Sequence, residues 1–301
     1  MPVNSKIIAQ CEDNAGIDAL WTSLENIDPK DPIPRRVVDD VRKMSPLGLI
    51  CVVTWFGNQH LALQLCHILA RALPPGIVKL VEHFLGLPYG ALYLHSPRNI
   101  YLMRPTMHAA LDSDAAFLCP TRKVLETMLH AVRNHGLPMG ETVVPAGVET
   151  NEKGFVKYTY TFPDGDYEYQ YAPIMGRSKN SWTPSTRILR RTPEGIHHHK
   201  TPFTGVHSMP WVKIHIHPYF AVVRGHRALS RTRDGPVTTP AHLAREVELI
   251  GQIGAVLDEV YHSEYEEDDE PVKSPEVDPA SILPERLRPR RGPHATGPAG
   301  H

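Results

Sequence analysis

Apolar residues recur every three to four positions in four stretches of the chain, a spacing typical of amphipathic helices, and Pro105 opens a fifth. Proline stands near the start of most of these stretches, where a helix does not use the N–H that proline lacks, and Gly136 follows the fourth. The sequence therefore predicts helices at residues 35–44, 75–86, 105–112, 121–136 and 240–260.

Continuous apolar runs predict buried strands. These runs cover residues 47–54, 61–69 and 100–103. Residues 137–210 are richer in Pro, Gly, Thr and Tyr, which predicts long loops with strand character only over 154–171. Residues 211–223 predict a strand pair, or one strand that is interrupted at Pro218.

Composition divides the chain into four segments and predicts an α+β fold. The last segment is acidic and then rich in Arg and Pro, so it buries too little apolar surface to order itself. The segments are residues 1–45 with one helix, 46–136 as the core, 137–262 as a loop-rich extension that ends in an amphipathic helix, and 263–301 as a disordered tail.

Charge and apolar content limit the possible partners and compartments. The chain has 32 Lys and Arg against 33 Asp and Glu, a net charge of −1, so contact with nucleic acid would need a local basic patch. Neither a membrane span nor a secretory signal is visible, and the four cysteines form no disulfide framework. We expect an intracellular protein of the nucleus or cytoplasm with reduced thiols.

Phosphodiester cleavage needs a base, a cation and a group that holds the base in one orientation. Two histidines, an asparagine and a carboxylate of this chain have side chains suited to these tasks. His67 ends an apolar strand and is a candidate base. His108 and Asp112 stand at i and i+4 of a predicted helix and share one face, which can hold a metal ion. Asn99 could hydrogen-bond His67 through its side-chain carbonyl.

These residues belong to four blocks of sequence: Cys51-Val52-Val53-Thr54, Cys66-His67-Ile68-Leu69, residues 99–108 and residues 109–112. The blocks resemble the HNH endonucleases, especially the HNH domains of many uncharacterised fungal proteins, over residues 47–130. The resemblance implies a ββα-metal core that cleaves nucleic acid, most often DNA. It implies His67 as general base, Asn99 as the orienting residue, and His108 with Asp112 as ligands of one divalent ion, Mg²⁺ or Mn²⁺ before Zn²⁺. Arg71, Arg98 and Arg104 surround the predicted site as candidate phosphate contacts.

Cys66 departs from the family pattern, in which an acidic residue or histidine often stands before the catalytic histidine. A thiolate ligand at Cys66 would favour zinc, whereas a buried thiol would leave only two protein ligands. Two other functions therefore stay open. The first is a non-cleaving interaction module on an HNH scaffold. The second is a structural domain in which zinc binds Cys66 with His67 or His108.

The remaining histidine clusters carry a weaker signal. Residues 197–199 are three consecutive histidines in a loop-like segment, and His215 and His217 share one face of a predicted strand. The triplet has no matching carboxylate nearby, so we interpret it as an exposed polar loop.

Overall fold

The structure is a computed structural model that describes residues 32–57, 63–70, 73–175, 187–200, 203, 205–230 and 238–264. Its helices in this part of the chain are α1 (Arg35–Met44), α2 (Pro75–Phe84), α3 (Pro105–Asp112), α4 (Arg122–Arg133), α5 (Tyr158–Thr161), α6 (Pro218–Ser230) and α7 (Ala244–Glu264). The strands are β1 (Gln64–His67), β2 (Ile100–Met103), β3 (Ala116–Pro120), β4 (Tyr167–Pro173), β5 (Arg187–Thr192), β6 (Gly195–Lys200) and β7 (Trp211–Ile214). Helices and small antiparallel sheets together confirm the α+β class.

All five predicted helices are present, with ends shifted by at most four residues. Prolines explain two of the starts, because Pro75 and Pro105 occupy the first turns of α2 and α3, where the backbone N–H has no partner within the helix. Gly136 follows α4 with φ of 81°, a conformation that glycine adopts without steric cost. The residues chosen as start and stop signals therefore act as predicted.

Residues 47–54 do not form the predicted strand, although Cys51 and the two valines after it are buried. Trp55 has φ of 57° and donates its backbone N–H to the Cys51 carbonyl, while the Cys51 N–H donates to the Phe56 carbonyl. The run closes on itself as a tight turn. Its apolar composition predicted burial correctly, but a buried strand and a buried turn differ in hydrogen-bond partners that composition does not reveal.

The prediction for residues 211–223 is corrected in its second half, because β7 ends at Ile214 and helix α6 begins at Pro218. Pro218 opens a helix instead of interrupting a strand. The next five side chains are all buried, so this helix starts inside the core and shows no apolar stripe. Strands β3, β5 and β6 were not predicted, and only β4 overlaps the stretch given strand character.

Three separate antiparallel sheets organise the strands. In the first, β1 pairs with β2 so that Gln64 lies opposite Met103 and His67 lies opposite Ile100. The second has the order β3-β4-β7, and the third is the hairpin β5-β6. Helix α3 follows β2 after a single residue, so the first sheet and this helix form a strand-strand-helix unit.

Two apolar clusters lie on the two sides of the β1-β2 sheet. The larger one, the main core, combines residues of α2, α3, α4, α6, α7 and the β3-β4-β7 sheet. It therefore joins the predicted core segment to the C-terminal extension in one continuous interior. The smaller one, the α1 cluster, consists of Val37, Val41, Tyr93, Ile100 and Leu102.

Arg224 of α6 fixes the end of α3. Its guanidinium lies 2.9 Å from a carboxylate oxygen of Asp114 and donates to the Leu111 carbonyl, one of the last carbonyls of α3. Both side chains of this ion pair are largely buried, which makes the interaction stronger than an exposed pair. The position of α3 is thus set by a helix more than a hundred residues later in the chain.

The expectations for residues 1–31 and for the tail after Glu264 lie outside the described residues. Among the helices that the structure describes, none has both the length and the apolar content needed to cross a membrane.

Substitution of two glycines after α2 tests how closely the chain packs there. Gly86 has φ of 62°, and a Cβ there would lie 2.3 Å from the Val156 carbonyl oxygen, whereas Gly90 has φ of 82° and open space around it. We expect Gly90→Ala to cost about 1 kcal/mol for backbone strain and Gly86→Ala to cost about 1–3 kcal/mol more, because the added methyl overlaps backbone atoms. Urea unfolding of both variants measures the difference, and equal losses would contradict the close packing.

Candidate functional site

His108 and Asp112 lie together on α3, as predicted. The His108 Nε2 atom is 3.2 Å from the Asp112 Oδ2 atom, and the His108 Nδ1 atom is 2.9 Å from the Oε1 atom of Gln64 on β1. The Gln64 oxygen accepts a hydrogen bond, so it selects the ring form with a proton on Nδ1. In that form the unprotonated Nε2 faces the Asp112 carboxylate, and a cation would bind by replacing this direct contact.

This donor set fits a divalent ion with few protein ligands. One imidazole nitrogen and one carboxylate oxygen suit Mg²⁺ or Mn²⁺ when water and a phosphate oxygen complete the coordination. The Asp112 side chain is 65% exposed, which leaves room for these further ligands. Within the described residues no group of three His, Cys, Asp or Glu side chains is arranged to hold a metal, so His108 and Asp112 are the protein ligands that this position offers.

His67 lies elsewhere on β1. Successive strand residues point to opposite faces, so the exposed Gln64 shares a face with Cys66 of the main core, while Leu65 and His67 share the face of the α1 cluster. His67 also ends the strand, three residues or about 10 Å from Gln64 along its axis. The structure thus brings His108 and Asp112 together with Gln64 and places His67 at the other end of β1.

A second histidine accompanies His67. The His67 Nε2 atom is 3.3 Å from the Nδ1 atom of His95, whose ring in turn meets Tyr93 edge to face at 5.6 Å between centroids. One ring must donate the proton of this hydrogen bond, so the ring forms of His67 and His95 are coupled. His95 stands four residues before Asn99 in a turn, and no motif in the sequence indicated it.

Asn99 is fully buried, and its side chain hydrogen-bonds the main chain after β1 and before β2. Its side-chain oxygen accepts from the Leu69 N–H at 2.8 Å, and its nitrogen donates to the carbonyls of Leu69 and Leu94 at 3.0 and 2.8 Å. We predicted that the oxygen would meet the His67 ring. Instead, Asn99 positions the backbone two residues after His67, and so acts on His67 through the main chain.

Cys66 is fully buried in the main core opposite Tyr101. Burial is the main reason that the pKa of its thiol is raised to about 12, and the nearby Asp112 carboxylate raises it further. A protonated thiol is a poor metal ligand. This position agrees with the interpretation of Cys66 as a small core residue, and the predicted ligand role finds no support in the geometry.

Two of the three candidate phosphate contacts are engaged within the protein. Arg98 pairs with Asp164 at 2.9 Å and donates to the carbonyls of Gly165 and His215, so its guanidinium ties three chain segments together. Arg104 stacks over the Phe56 ring, with its Cζ atom 5.3 Å from the ring centroid. The third, Arg71, lies outside the described residues.

His215 and His217 are both buried and lie after the end of β7. Burial, together with the charge of Arg98, lowers the pKa of His215 to about 4 and that of His217 to about 3. Both rings are therefore neutral at neutral pH, and His217 packs among the aromatic rings of Tyr158 and Tyr219. The prediction that they share one face of a strand is wrong, because β7 ends at Ile214. The triplet at 197–199, predicted as an exposed loop, lies on β6, where two of its histidines are exposed and His199 is buried.

No protein-family model, curated protein or solved structure matches this chain. The resemblance to HNH endonucleases therefore rests on the residues themselves.

Gln64 offers a test of the cation site. We expect Gln64→Ala to weaken Mn²⁺ binding by about 10–100-fold, because the ring of His108 loses the partner that orients it. His108→Ala should abolish the binding, while His197→Ala, which changes an exposed histidine on β6, should leave it unchanged. Calorimetric titration of Mn²⁺ into the four proteins measures this, and equal affinities for wild type and His108→Ala would exclude the site.

Cys66→Ser separates the two roles of the thiol. We expect zinc affinity to stay within about twofold of wild type and stability to fall by about 1–3 kcal/mol, because the hydroxyl is buried without an assured partner. Calorimetry with Zn²⁺ and urea unfolding of the same samples provide both values. A large loss of zinc affinity would identify the thiolate as a ligand.

Proposed function

We propose that this chain is a divalent-metal endonuclease of the HNH type that hydrolyses phosphodiester bonds of nucleic acid, with DNA as the first substrate to test. The observation that carries the proposal is the strand-strand-helix unit, in which His67 ends β1 and helix α3 bears His108 and Asp112 directly after β2. Its expected location, the nucleus or cytoplasm, stays a prediction.

Each residue has a defined task in this proposal. His67 accepts a proton from the attacking water through Nδ1, which requires that its Nε2 atom donates to His95 Nδ1. His108 and Asp112 hold the cation, which when bound stabilises charge on the leaving oxygen. Asn99 keeps the main chain after His67 in place. The product expected from the family resemblance is a 5′-phosphate.

A second function, a non-cleaving interaction module on the same scaffold, is favoured by one observation. His67 and the His108-Asp112 pair lie at opposite ends of β1, and His67 faces the α1 cluster. A base and a cation must both reach one phosphodiester for hydrolysis, whereas binding makes no such demand. The zinc-stabilised structural domain has less support, because burial keeps the Cys66 thiol protonated.

Nicking of supercoiled plasmid separates the two functions. We expect cleavage with Mg²⁺ or Mn²⁺, a decrease of about 10²–10⁴-fold in His67→Ala, and a comparable loss in His108→Ala, because general-base and metal chemistry each contribute at this scale. His197→Ala serves as the matched control, since this histidine is exposed on β6. Circular dichroism of each variant checks folding.

Full activity in His67→Ala would remove His67 from the mechanism. If no metal ion supports nicking by the wild type, but the chain still retards DNA in a gel, the interaction module is the better description.

A further inference from the structure

Arg190 of β5 is a buried cation for which the described residues supply no counter-charge. Its side chain lies inside the protein at 3% exposure, and its Nε and Nη1 atoms are buried without a hydrogen-bond partner. No carboxylate in the part of the chain that the structure describes forms an ion pair with it. Burial lowers its pKa to about 10, well above neutral pH, so the guanidinium keeps its charge. Burying an unpaired charge costs several kcal/mol.

Trp55 is the main partner of Arg190. The Arg190 Cζ atom lies 4.0 Å from the centroid of the Trp55 ring, a cation-π contact that offsets part of the burial cost. The Arg191 N–H donates to the Thr54 carbonyl at 2.9 Å and so ties β5 to the turn that carries Trp55. The stack fixes the plane of the guanidinium, and its N–H groups point along that plane.

Further donors in the same turn are also unpartnered. The Thr54 hydroxyl and the Trp55 Nε1 atom are buried without a hydrogen-bond partner, and Thr54 as a residue is only 2% exposed. Thr54 and Trp55 are adjacent in sequence, and both contact β5. Thr54, Trp55 and Arg190 therefore provide a cation, two N–H donors on the guanidinium, an indole N–H and a hydroxyl. This is the composition of a site for an oxyanion.

We propose that Thr54, Trp55 and Arg190 form a binding site for one phosphate group. A guanidinium binds two oxygens of a phosphate with parallel hydrogen bonds, and the indole and hydroxyl donors suit its remaining oxygens. The site is small, because Thr54 and Arg190 are only 2% and 3% exposed. It uses none of the residues assigned to hydrolysis and goes beyond the proposed endonuclease function. The phosphate is either a free small molecule or one phosphate of a nucleic-acid strand.

Inorganic phosphate is the first probe. Calorimetry and thermal unfolding of the full chain, with chloride at matched ionic strength as reference, should show binding that raises the Tm of the wild type. We expect Arg190→Met to weaken this binding at least tenfold, because the charged hydrogen bonds are lost. In phosphate-free buffer the same variant should be at least as stable as the wild type, since an apolar side chain replaces an unpaired buried charge. Arg191→Met changes the exposed neighbour and should bind as the wild type does.

Two further variants keep the test decisive if Arg190→Met does not fold. Arg190→Lys retains the charge without the planar pair of donors, and Trp55→Phe retains a stacking ring without the indole N–H, so both should bind phosphate more weakly than Arg191→Met. Absence of phosphate binding by the wild type, or wild-type affinity in all site variants, would overturn the proposal.

Competition with inorganic phosphate distinguishes the two possible sources of the phosphate group. If a short DNA duplex displaces inorganic phosphate from the wild type and binds Arg190→Met more weakly, the site binds a phosphate of a nucleic-acid strand. A 5′-mononucleotide that displaces it when DNA does not identifies a free small molecule. Plasmid nicking by Arg190→Met measures hydrolysis separately from phosphate binding. If the variant loses phosphate binding and still nicks plasmid, the result supports this site and leaves the role of His67 to its own test.

Discussion

Backbone pairing between β1 and β2 buries β2 on both faces and sets which way the residues of β1 point. Alternation sends Cys66 into the main core with the exposed Gln64 on the same face, and it sends Leu65 and His67 to the face of the α1 cluster. A shift of one residue in the register would exchange the two sets and expose apolar side chains. The chemistry available at each face is therefore fixed by packing and not by the histidines themselves.

Buried polar groups hold the chain around this pair. Asn99 satisfies backbone groups of Leu69 and Leu94, and Arg98 beside it joins Asp164 and His215 from the C-terminal half. Such groups are stable in an interior only when their hydrogen bonds are complete. The turn before β2 thus connects the predicted core segment to the extension. This connection explains why Arg98, a candidate phosphate contact in the sequence, is a structural tie in the fold.

The largely buried arginines differ in one informative respect. Arg98 and Arg224 each lie 2.9 Å from a carboxylate, Asp164 and Asp114 respectively, whereas Arg190 contacts an aromatic ring and pairs with no carboxylate of the described residues. A buried guanidinium needs compensation, and proteins usually supply it from within the chain. The contrast makes Arg190 the position where an external anion has the strongest physical reason to bind.

The sequence by itself determined the α+β class, the five helices and the pairing of His108 with Asp112, because these depend on local periodicity and on residues four positions apart. Tertiary structure decided the rest. The run before Trp55 became a turn, His215 and His217 became buried, and His67 turned away from α3, since each outcome depends on partners far along the chain. Gln64, His95 and Arg190 carried no sequence signal for the same reason: their roles come from residues that only folding brings beside them.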